Sequence, residues 1–305
     1  MRGLILRHLL LALTAIVATA PPAAAKIAGP ASIAEHQRQC AGKDGWSDPA
    51  PPVRIFANVY DVGSCGIAVL LVAGPKGHVL IDGATAQAVP SILRNIERLG
   101  LALSDVKYLL STHEHIDHAG GLHALQQRTG ATLIASAAAR PLLESGIPAS
   151  DDPQRGGIPG FTGARVGRVV KDGEIVTLGS LRLTAHLTPG HSPGGTSWSW
   201  TSCAGRSCHA IVYADSLSAV SADGYRFTDH PAYVARLRAS IAKVAGLRCD
   251  LVISPHPSAS NLYERLAGKA PLVDAKGCAT YAAAARKRLD DRLASEAATP
   301  QKPAG

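Results

Sequence analysis

The chain has 305 residues, of which 46% are hydrophobic and 18% are charged, a balance that is typical of a globular protein and that excludes a disordered chain. The formal net charge is +8. The lysines and arginines are scattered and form neither a basic run nor a basic helix with interleaved aromatic residues, so we expect no nucleic-acid partner.

The N-terminus has the order of a secretory signal peptide. Arg2 and Arg7 precede an apolar stretch over residues 9–20, and residues 23–25 are three alanines. A charged segment, an apolar segment too short to span a bilayer comfortably and a small-residue cleavage site are the parts of an exported leader. We therefore predict a signal peptide over residues 1–25 and a periplasmic or secreted protein without stable membrane association after processing.

Six cysteines fit this destination. They are an even number, as expected of disulfides in an oxidising compartment, and no C-x₂-C pair indicates a cysteine zinc site. The sequence alone does not fix their pairing. Proximity along the chain suggests three disulfides, Cys40–Cys65, Cys203–Cys208 and Cys249–Cys278.

The first part of the chain alternates short β-branched runs with one helical pattern. Residues 26–52 are rich in alanine, proline and polar residues and are predicted to be an N-terminal arm. Pro90 suits the first turn of a helix, and apolar residues at helical spacing follow it. The predicted elements are strands over 54–62, 66–73, 78–81 and 106–110 and a helix over 88–99.

The rest of the chain repeats this alternation, interrupted by a long segment rich in glycine and proline over residues 146–165. Long irregular loops in compact domains are often functional. The predicted elements are helices over 120–128, 231–245 and 275–294 and strands over 132–136, 174–177, 181–187, 196–200, 210–213 and 251–254. The pattern predicts one α/β domain over 53–296, in which helices cover the outer faces of two β-sheets, followed by a flexible tail over 297–305.

One short stretch carries most of the chemistry. His113, His115, Asp117 and His118 lie within six residues, between a predicted strand and a predicted helix. Imidazole nitrogens and carboxylate oxygens are zinc ligands. Residues two apart point the same way on extended chain, so His113 and His115 can face one metal, and Asp117 and His118 can reach a second.

Each metal then needs one more imidazole from elsewhere in the chain. His191 lies in a tight loop after a predicted strand, and His256 directly follows the strand 251–254. Strand ends are where a rigid scaffold presents side chains to a shared cleft. The remaining histidines lack such a context.

The run from His113 to His118, H-x-H-x-D-H, resembles the signature of the metallo-β-lactamase superfamily, whose fold is an αββα sandwich of two mixed sheets flanked by helices. Residues 214–218 (Ala-Asp-Ser-Leu-Ser), where other subclasses carry a cysteine ligand, resemble subclass B3 of the class B β-lactamases. The stretch 254–261 and the Cys249/Cys278 pair around it do so as well. The resemblance covers roughly residues 50–295.

The resemblance implies two zinc ions and a full set of site residues. His113, His115 and His191 would bind the first ion, and Asp117, His118 and His256 the second. Ser216, Ser218 and Gln154 would contact substrate. The implied activity is hydrolysis of the β-lactam amide of penicillins, cephalosporins and carbapenems by a metal-held hydroxide that Asp117 orients as the catalytic residue. The implied protein is a monomer that acts on a small-molecule β-lactam and confers antibiotic resistance.

Two alternatives remain open at this point. A secreted thioester or lactone hydrolase of the same fold, similar to glyoxalase II or a lactonase, would use an aspartate that bridges both metals. Either Asp215 or Ser216 could face the metals, so the sequence does not exclude this enzyme. A non-catalytic metal-binding protein of the same fold would lack one or more ligands, and this chain lacks none.

Overall fold

A computed structural model of the protein describes residues 29–298. The predicted leader lies outside this part of the chain, as do the last seven positions of the predicted tail. Within residues 29–298 there are twelve β-strands and eight α-helices. The strands are β1 (Val53–Phe56), β2 (Val59–Asp61), β3 (Leu70–Gly74), β4 (Gly77–Ile81), β5 (Val106–Leu110), β6 (Thr132–Ser136), β7 (Val166–Val170), β8 (Ile175–Leu178), β9 (Leu181–Leu187), β10 (Thr196–Ala204), β11 (Ser207–Tyr213) and β12 (Leu251–Ile253). The helices are α1 (Ile33–Gln39), α2 (Val89–Arg98), α3 (Ile116–Ala119), α4 (Leu122–Thr129), α5 (Arg140–Ser145), α6 (Pro231–Ala245), α7 (Leu262–Leu266) and α8 (Gly277–Ala298).

The strands form two mixed sheets. The first has seven strands in chain order, antiparallel from β1 to β4 and parallel from β4 to β7. The second has five strands in the order β12-β11-β10-β9-β8, in which only β11 and β12 are parallel. The loops that follow β4, β5, β11 and β12 therefore leave the sheets at the carboxyl ends of parallel strands.

Three apolar clusters define the layers. The first lies between the seven-stranded sheet and helices α2 and α4. The second lies between the two sheets and contains Trp198, Trp200 and Tyr213. The third lies between the five-stranded sheet and helices α6 and α8. The architecture is thus the αββα sandwich that we expected, because each sheet buries one face against the other sheet and one against helices.

The predicted arm is held to the domain, and it includes a helix that the sequence pattern does not indicate. Helix α1 begins after Ser32, whose side chain accepts a hydrogen bond from the Glu35 amide over 3.1 Å. A disulfide joins Cys40 to Cys65. The other two disulfides, Cys203–Cys208 and Cys249–Cys278, also join the pairs that sequence proximity suggests.

Some predicted elements have the observed ends and others do not: the predicted strand over 54–62 is two strands, β1 and β2, and the helix predicted over 275–294 runs over Gly277–Ala298. The strands over 106–110 and 181–187 and the helix over 231–245 have the predicted ends. Helices α5 and α7 and strand β7 are absent from the prediction. The two helices have six and five residues, and β7 lies at a sheet edge with a burial pattern that does not alternate. No helix within residues 29–298 combines the length and apolarity needed to cross a bilayer.

Candidate metal centre

The loop after β5 carries four of the predicted ligands, and buried hydrogen bonds fix it to β4. Thr112 donates its amide and its hydroxyl to the two carboxylate oxygens of Asp82, each over 2.7 Å. Asp82 directly follows β4, is fully buried and has a left-handed backbone with φ of 69°. The two hydrogen bonds from Thr112 to its carboxylate stabilise this unusual backbone conformation of Asp82.

A second loop, between β9 and β10, carries His191. Gly190 has φ of 140°, and a Cβ there would lie 2.6 Å from the backbone of α6, so only glycine fits. The buried carboxylate of Glu114, inside the histidine motif, accepts hydrogen bonds from Ser192 Oγ over 2.8 Å and from the Gly194 amide over 2.7 Å. Glu114 thus ties the motif loop to the His191 loop.

Three imidazoles converge from these two loops. His113, His115 and His191 are buried, and their ligand atoms lie within 4.8 Å of one another. Nδ1 of His115 and Nε2 of His191 are 3.2 Å apart. This is a compact, three-nitrogen group of the kind that binds a metal ion.

A second group adjoins the first. Oδ2 of Asp117 lies 3.1 Å from Nε2 of His118 and 3.4 Å from Nε2 of His256. The two imidazole nitrogens are 3.3 Å apart. His113, Asp117 and His118 also have ligand atoms within 4.8 Å of one another, so the two groups share a border at His113.

Outer hydrogen bonds fix which nitrogen of each first-group imidazole faces inward. Each outer partner is an oxygen acceptor, so the ring proton sits on the nitrogen that contacts it and the other nitrogen keeps its lone pair. The pairs are His113 Nδ1 with Asp215 Oδ1 (2.7 Å), His115 Nε2 with Asp152 Oδ2 (2.9 Å) and His191 Nδ1 with the Ser218 carbonyl (3.0 Å).

The residues present fit a metal ion. Nε2 of His113 is buried and has no hydrogen-bond partner within the described residues. The facing nitrogens of His115 and His191 both carry lone pairs and cannot hydrogen-bond to each other, although the side-chain amide of Gln154 lies 3.3 and 3.4 Å from them. Converging lone pairs in a buried site are unfavourable unless a cation lies among them. Because this donor set is imidazole with carboxylate, it suits zinc.

Electrostatics keep the two groups in different states. Burial, with the neighbouring imidazoles, holds the pKa of His113 well below its ordinary value and lowers the pKa of His191 to about 3. Burial also opposes charge on His118, but the adjacent Asp117 carboxylate raises the pKa of His118 to about 10. Burial likewise opposes ionisation of Asp117, yet His118 brings its pKa well below its ordinary value. His113 and His191 are thus neutral imidazoles, whereas Asp117 and His118 form an ion pair.

Two of the three residues predicted to contact substrate lie within hydrogen-bond distance of first-group imidazoles. Nε2 of Gln154 is 3.3 Å from Nδ1 of His115 and 3.4 Å from Nε2 of His191. The Ser218 hydroxyl lies 3.1 Å from Nδ1 of His191. Ser216 is buried, and its amide donates to the Asp215 carboxylate over 2.8 Å.

Four carboxylates support the site, and the sequence prediction assigns none of them to this role. The sequence leaves open whether Asp215 faces the metals, and its carboxylate contacts the outer nitrogen of His113. Asp82, Glu114 and Asp152 are absent from the prediction. The available signals are weak: Asp82 and Asp215 follow strand ends, Glu114 lies inside the motif, and Asp152 lies in the long loop.

An open cavity of about 420 Å³ borders the second group at His256. Lys43 and Trp46 of the N-terminal segment form one wall, and Asn261 and Tyr263 near α7 form another. The second group therefore borders, at His256, a space that is large enough for a small organic substrate.

Comparison with known proteins places this site in context. The family model described as the metallo-beta-lactamase superfamily matches residues 62–203. The metallo-β-lactamase MIM-1 from Novosphingobium pentaromativorans is 51% identical, with a TM-score of 0.84 over 87% of this chain and 98% of that one. The metallo-β-lactamase SMB-1 is 48% identical, with a TM-score of 0.80 over 83% of this chain and 99% of that one. MEM-A1, a subclass B3 metallo-β-lactamase from a soil metagenome library, is 44% identical, with a TM-score of 0.80 over 83% of this chain and 99% of that one.

Curated relatives match a smaller part of the chain. The hydroxyacylglutathione hydrolase of Brucella ovis is 30% identical over 118 residues, which are 39% of this chain and 36% of that protein. The match thus spans about a third of the length of these relatives. The similarity to the solved structures extends over most of both chains.

Proposed function

Because the chain belongs to the metallo-β-lactamase superfamily and, within it, to the subclass B3 enzymes, we propose that it hydrolyses the amide bond of β-lactam antibiotics. The observation that carries this proposal is the pair of adjoining donor groups, His113 with His115 and His191, and Asp117 with His118 and His256. The second group borders, at His256, a cavity that can admit a small substrate.

Two zinc ions are the proposed cofactors. His113, His115 and His191 would hold the first ion, and Asp117, His118 and His256 would hold the second. When bound, zinc ions supply Lewis acidity and bring the pKa of water down to about 7, so that hydroxide is available at neutral pH.

The protein residues have distinct tasks in this proposal. The Asp117 carboxylate, which lies between two imidazoles, orients the attacking water as well as binding metal. Asp215 and Asp152 keep the ring protons of His113 and His115 on the outer nitrogens, so the inner nitrogens stay free to ligate. A strained lactam needs a good nucleophile and electrophilic help, and no serine nucleophile motif organises this chain.

Substrate contacts are proposed for Gln154, Ser216 and Ser218. Gln154 and Ser218 already lie within hydrogen-bond distance of the first group. A hydroxyl and an amide at this position suit the carboxylate and carbonyl oxygens of a β-lactam. Ser216 would act through its position next to Asp215.

The thioester or lactone hydrolase is not favoured. The hydroxyacylglutathione hydrolases match only 118 residues, whereas the β-lactamases match most of the chain. That alternative needs an aspartate that bridges both metals. Asp215, which could have supplied it, is hydrogen-bonded to the outer nitrogen of His113 over 2.7 Å.

The proposed setting is the periplasm or the extracellular medium, where the protein would act as a monomer and confer resistance to β-lactam antibiotics. Three disulfides support an oxidising compartment. Penicillins, cephalosporins and carbapenems are the proposed substrates.

Turnover of nitrocefin and of a carbapenem, with and without a chelator, tests the proposal. We expect hydrolysis that the chelator abolishes and added zinc restores. Asp117→Ala and His118→Ala should remove most turnover while far-ultraviolet circular dichroism stays unchanged. Lactoylglutathione and an acyl-homoserine lactone are the comparison substrates, and preferential turnover of either would contradict the assignment.

A further inference from the structure

Helices cover the outer face of the five-stranded sheet over only part of its area. Val212 of β11 and Val252 of β12 pack against α6 and α8 in the third apolar cluster. Beyond them, residues at the beginning of β9 and in the middle of β10 line a groove of about 400 Å³ on this face. This groove is separate from the metal centre and from the cavity beside it.

Strand alternation aims polar side chains into the groove. Along β9, Arg182 is exposed and Thr184 is half-buried, while their neighbours in the strand point into the core. On β10, Ser199 and Thr201 point the same way. Thr184 and Ser199 are direct cross-strand partners, so the hydroxyls of the two strands form one polar surface.

The groove has an unbalanced positive charge. Arg182 and Arg248 line it together with hydroxyl-bearing residues, and no carboxylate lines it. Within residues 29–298 neither guanidinium makes a hydrogen bond or an ion pair with another side chain. By contrast, several other arginines pair with carboxylates, as Arg168 does with Glu174. The two groove arginines thus keep their full donor capacity.

From this geometry we infer that the groove binds a small phosphomonoester, with the phosphate dianion between the guanidinium groups of Arg182 and Arg248. A guanidinium presents a fork of N–H donors that matches phosphate oxygens in a bidentate contact. The hydroxyls of Thr184 and Thr201 supply further donors. The surface is concave and holds a molecule of limited size, so the ligand is a soluble phosphomonoester and not the flat surface of a membrane.

The groove is well removed from the proposed reaction. Arg182 lies at the start of β9, and His191 lies beyond its other end. Leu187 lies five residues after Arg182, a distance of about 17 Å along the strand at about 3.3 Å per residue. Changes in the groove should therefore leave turnover at the metal centre intact.

Titration calorimetry on the zinc-loaded protein tests this inference, with inorganic phosphate and glycerol 3-phosphate as probes at constant ionic strength. We expect Arg182→Ala/Arg248→Ala to weaken binding of both probes at least tenfold, because removing one hydrogen bond to a charged group typically weakens binding by about tenfold or more. The matched control is Arg94→Ala/Arg128→Ala, which removes the same charge from two exposed helix positions. The control should bind as the parent does, and nitrocefin turnover should be unchanged in both variants.

Three results would overturn the inference. Undiminished phosphate binding by the groove variant would place the anion elsewhere, for instance at the metals, where phosphate would also inhibit turnover. An equal loss in the control variant would indicate general charge attraction. Binding to phosphatidylglycerol vesicles without binding of either soluble probe would identify a membrane surface as the ligand. Single Arg→Gln variants repeat the test if the double variant has a lowered melting temperature.

Discussion

At the scale of single residues, the site depends on carboxylates that do not face the metals. Asp215 and Asp152 determine which nitrogen of His113 and His115 carries the proton. An imidazole ligates only through an unprotonated nitrogen, so these outer contacts determine whether the first group can bind a cation at all.

Asp215→Asn should therefore weaken zinc binding. The amide replaces the acceptor that holds the His113 Nδ1 proton, and the loss of such an outer partner typically costs about 10–100-fold in metal affinity. Competition with a chromophoric zinc chelator measures the effect. Asp105→Asn, at an exposed carboxylate, is the control. Equal zinc affinity of the Asp215 variant and the parent protein would show that the His113 tautomer is set in another way.

Substitutions of Glu114 test whether the site depends on its attachment of the His191 loop or on its negative charge. Glu114→Ala leaves the buried Gly194 amide without its acceptor, which costs about 1–3 kcal/mol, and it frees the loop that carries His191. Glu114→Gln keeps an oxygen at the same place and should retain most zinc affinity and turnover. The alanine variant should lose both, as zinc competition and nitrocefin kinetics would show. A glutamine variant as impaired as the alanine variant would mean that charge, and not loop attachment, is what matters.

At the scale of elements, helix α1 is fixed to the domain by an aromatic contact as well as by a disulfide. The ring of His36 lies 4.2 Å from the ring of Tyr263, measured between centroids. Tyr263 in turn donates to the buried Asp61 carboxylate over 2.8 Å. This packing extends the domain to the segment that carries Lys43 and Trp46 and so forms one wall of the cavity beside His256.

The packing of α1 predicts a pH dependence of stability. Burial lowers the pKa of His36 from 6.5 to about 4, so the unfolded chain binds this proton more readily between these values. Stability should fall by about 3 kcal/mol as the pH decreases from 6.5 to 4. Burial raises the pKa of Asp61 to about 6, which acts in the opposite direction over much of this range.

The contribution of His36 is therefore measured as a difference between two proteins. Urea unfolding of the parent and of His36→Phe at several pH values should show that the phenylalanine variant lacks the decline towards low pH, while Asp61 contributes equally to both. Parallel pH profiles of the two proteins would contradict the assignment of this slope to His36.

At the scale of the whole molecule, the interface between the two sheets also shapes the motif loop. Trp198 of β10 is fully buried in the apolar cluster between the sheets, and its indole N–H donates to the Ser111 carbonyl over 3.0 Å. Ser111 begins the loop that carries His113 to His118. The packing of one sheet thus holds the ligand loop of the other.

Trp198→Phe should destabilise the protein and loosen this loop. The smaller ring leaves a gap and an unpaired buried carbonyl, so we expect the free energy of unfolding to fall by about 2–4 kcal/mol. Urea denaturation of the zinc-loaded protein measures it. Trp46→Phe changes a side chain that is 44% exposed and should shift stability by less than about 0.5 kcal/mol. Similar losses in both variants would rule out the special role of Trp198.

The sequence by itself determined the features that depend on neighbouring residues. The apolar periodicity of the helix over 231–245 and the compact run over 106–110 predict elements with the observed ends. The spacing of His113, His115, Asp117 and His118 indicates a metal motif, because a short segment can aim these side chains together without help from distant chain.

Only the tertiary structure decided how distant residues combine. Asp215 and His113 are 102 positions apart, and their contact depends on how the two sheets pack. The same holds for the Glu114 contact with the His191 loop and for the groove between Arg182 and Arg248. Strand pairing, sheet packing and the direction of a side chain at a loop are non-local properties, and a periodic pattern along the chain records only the local ones.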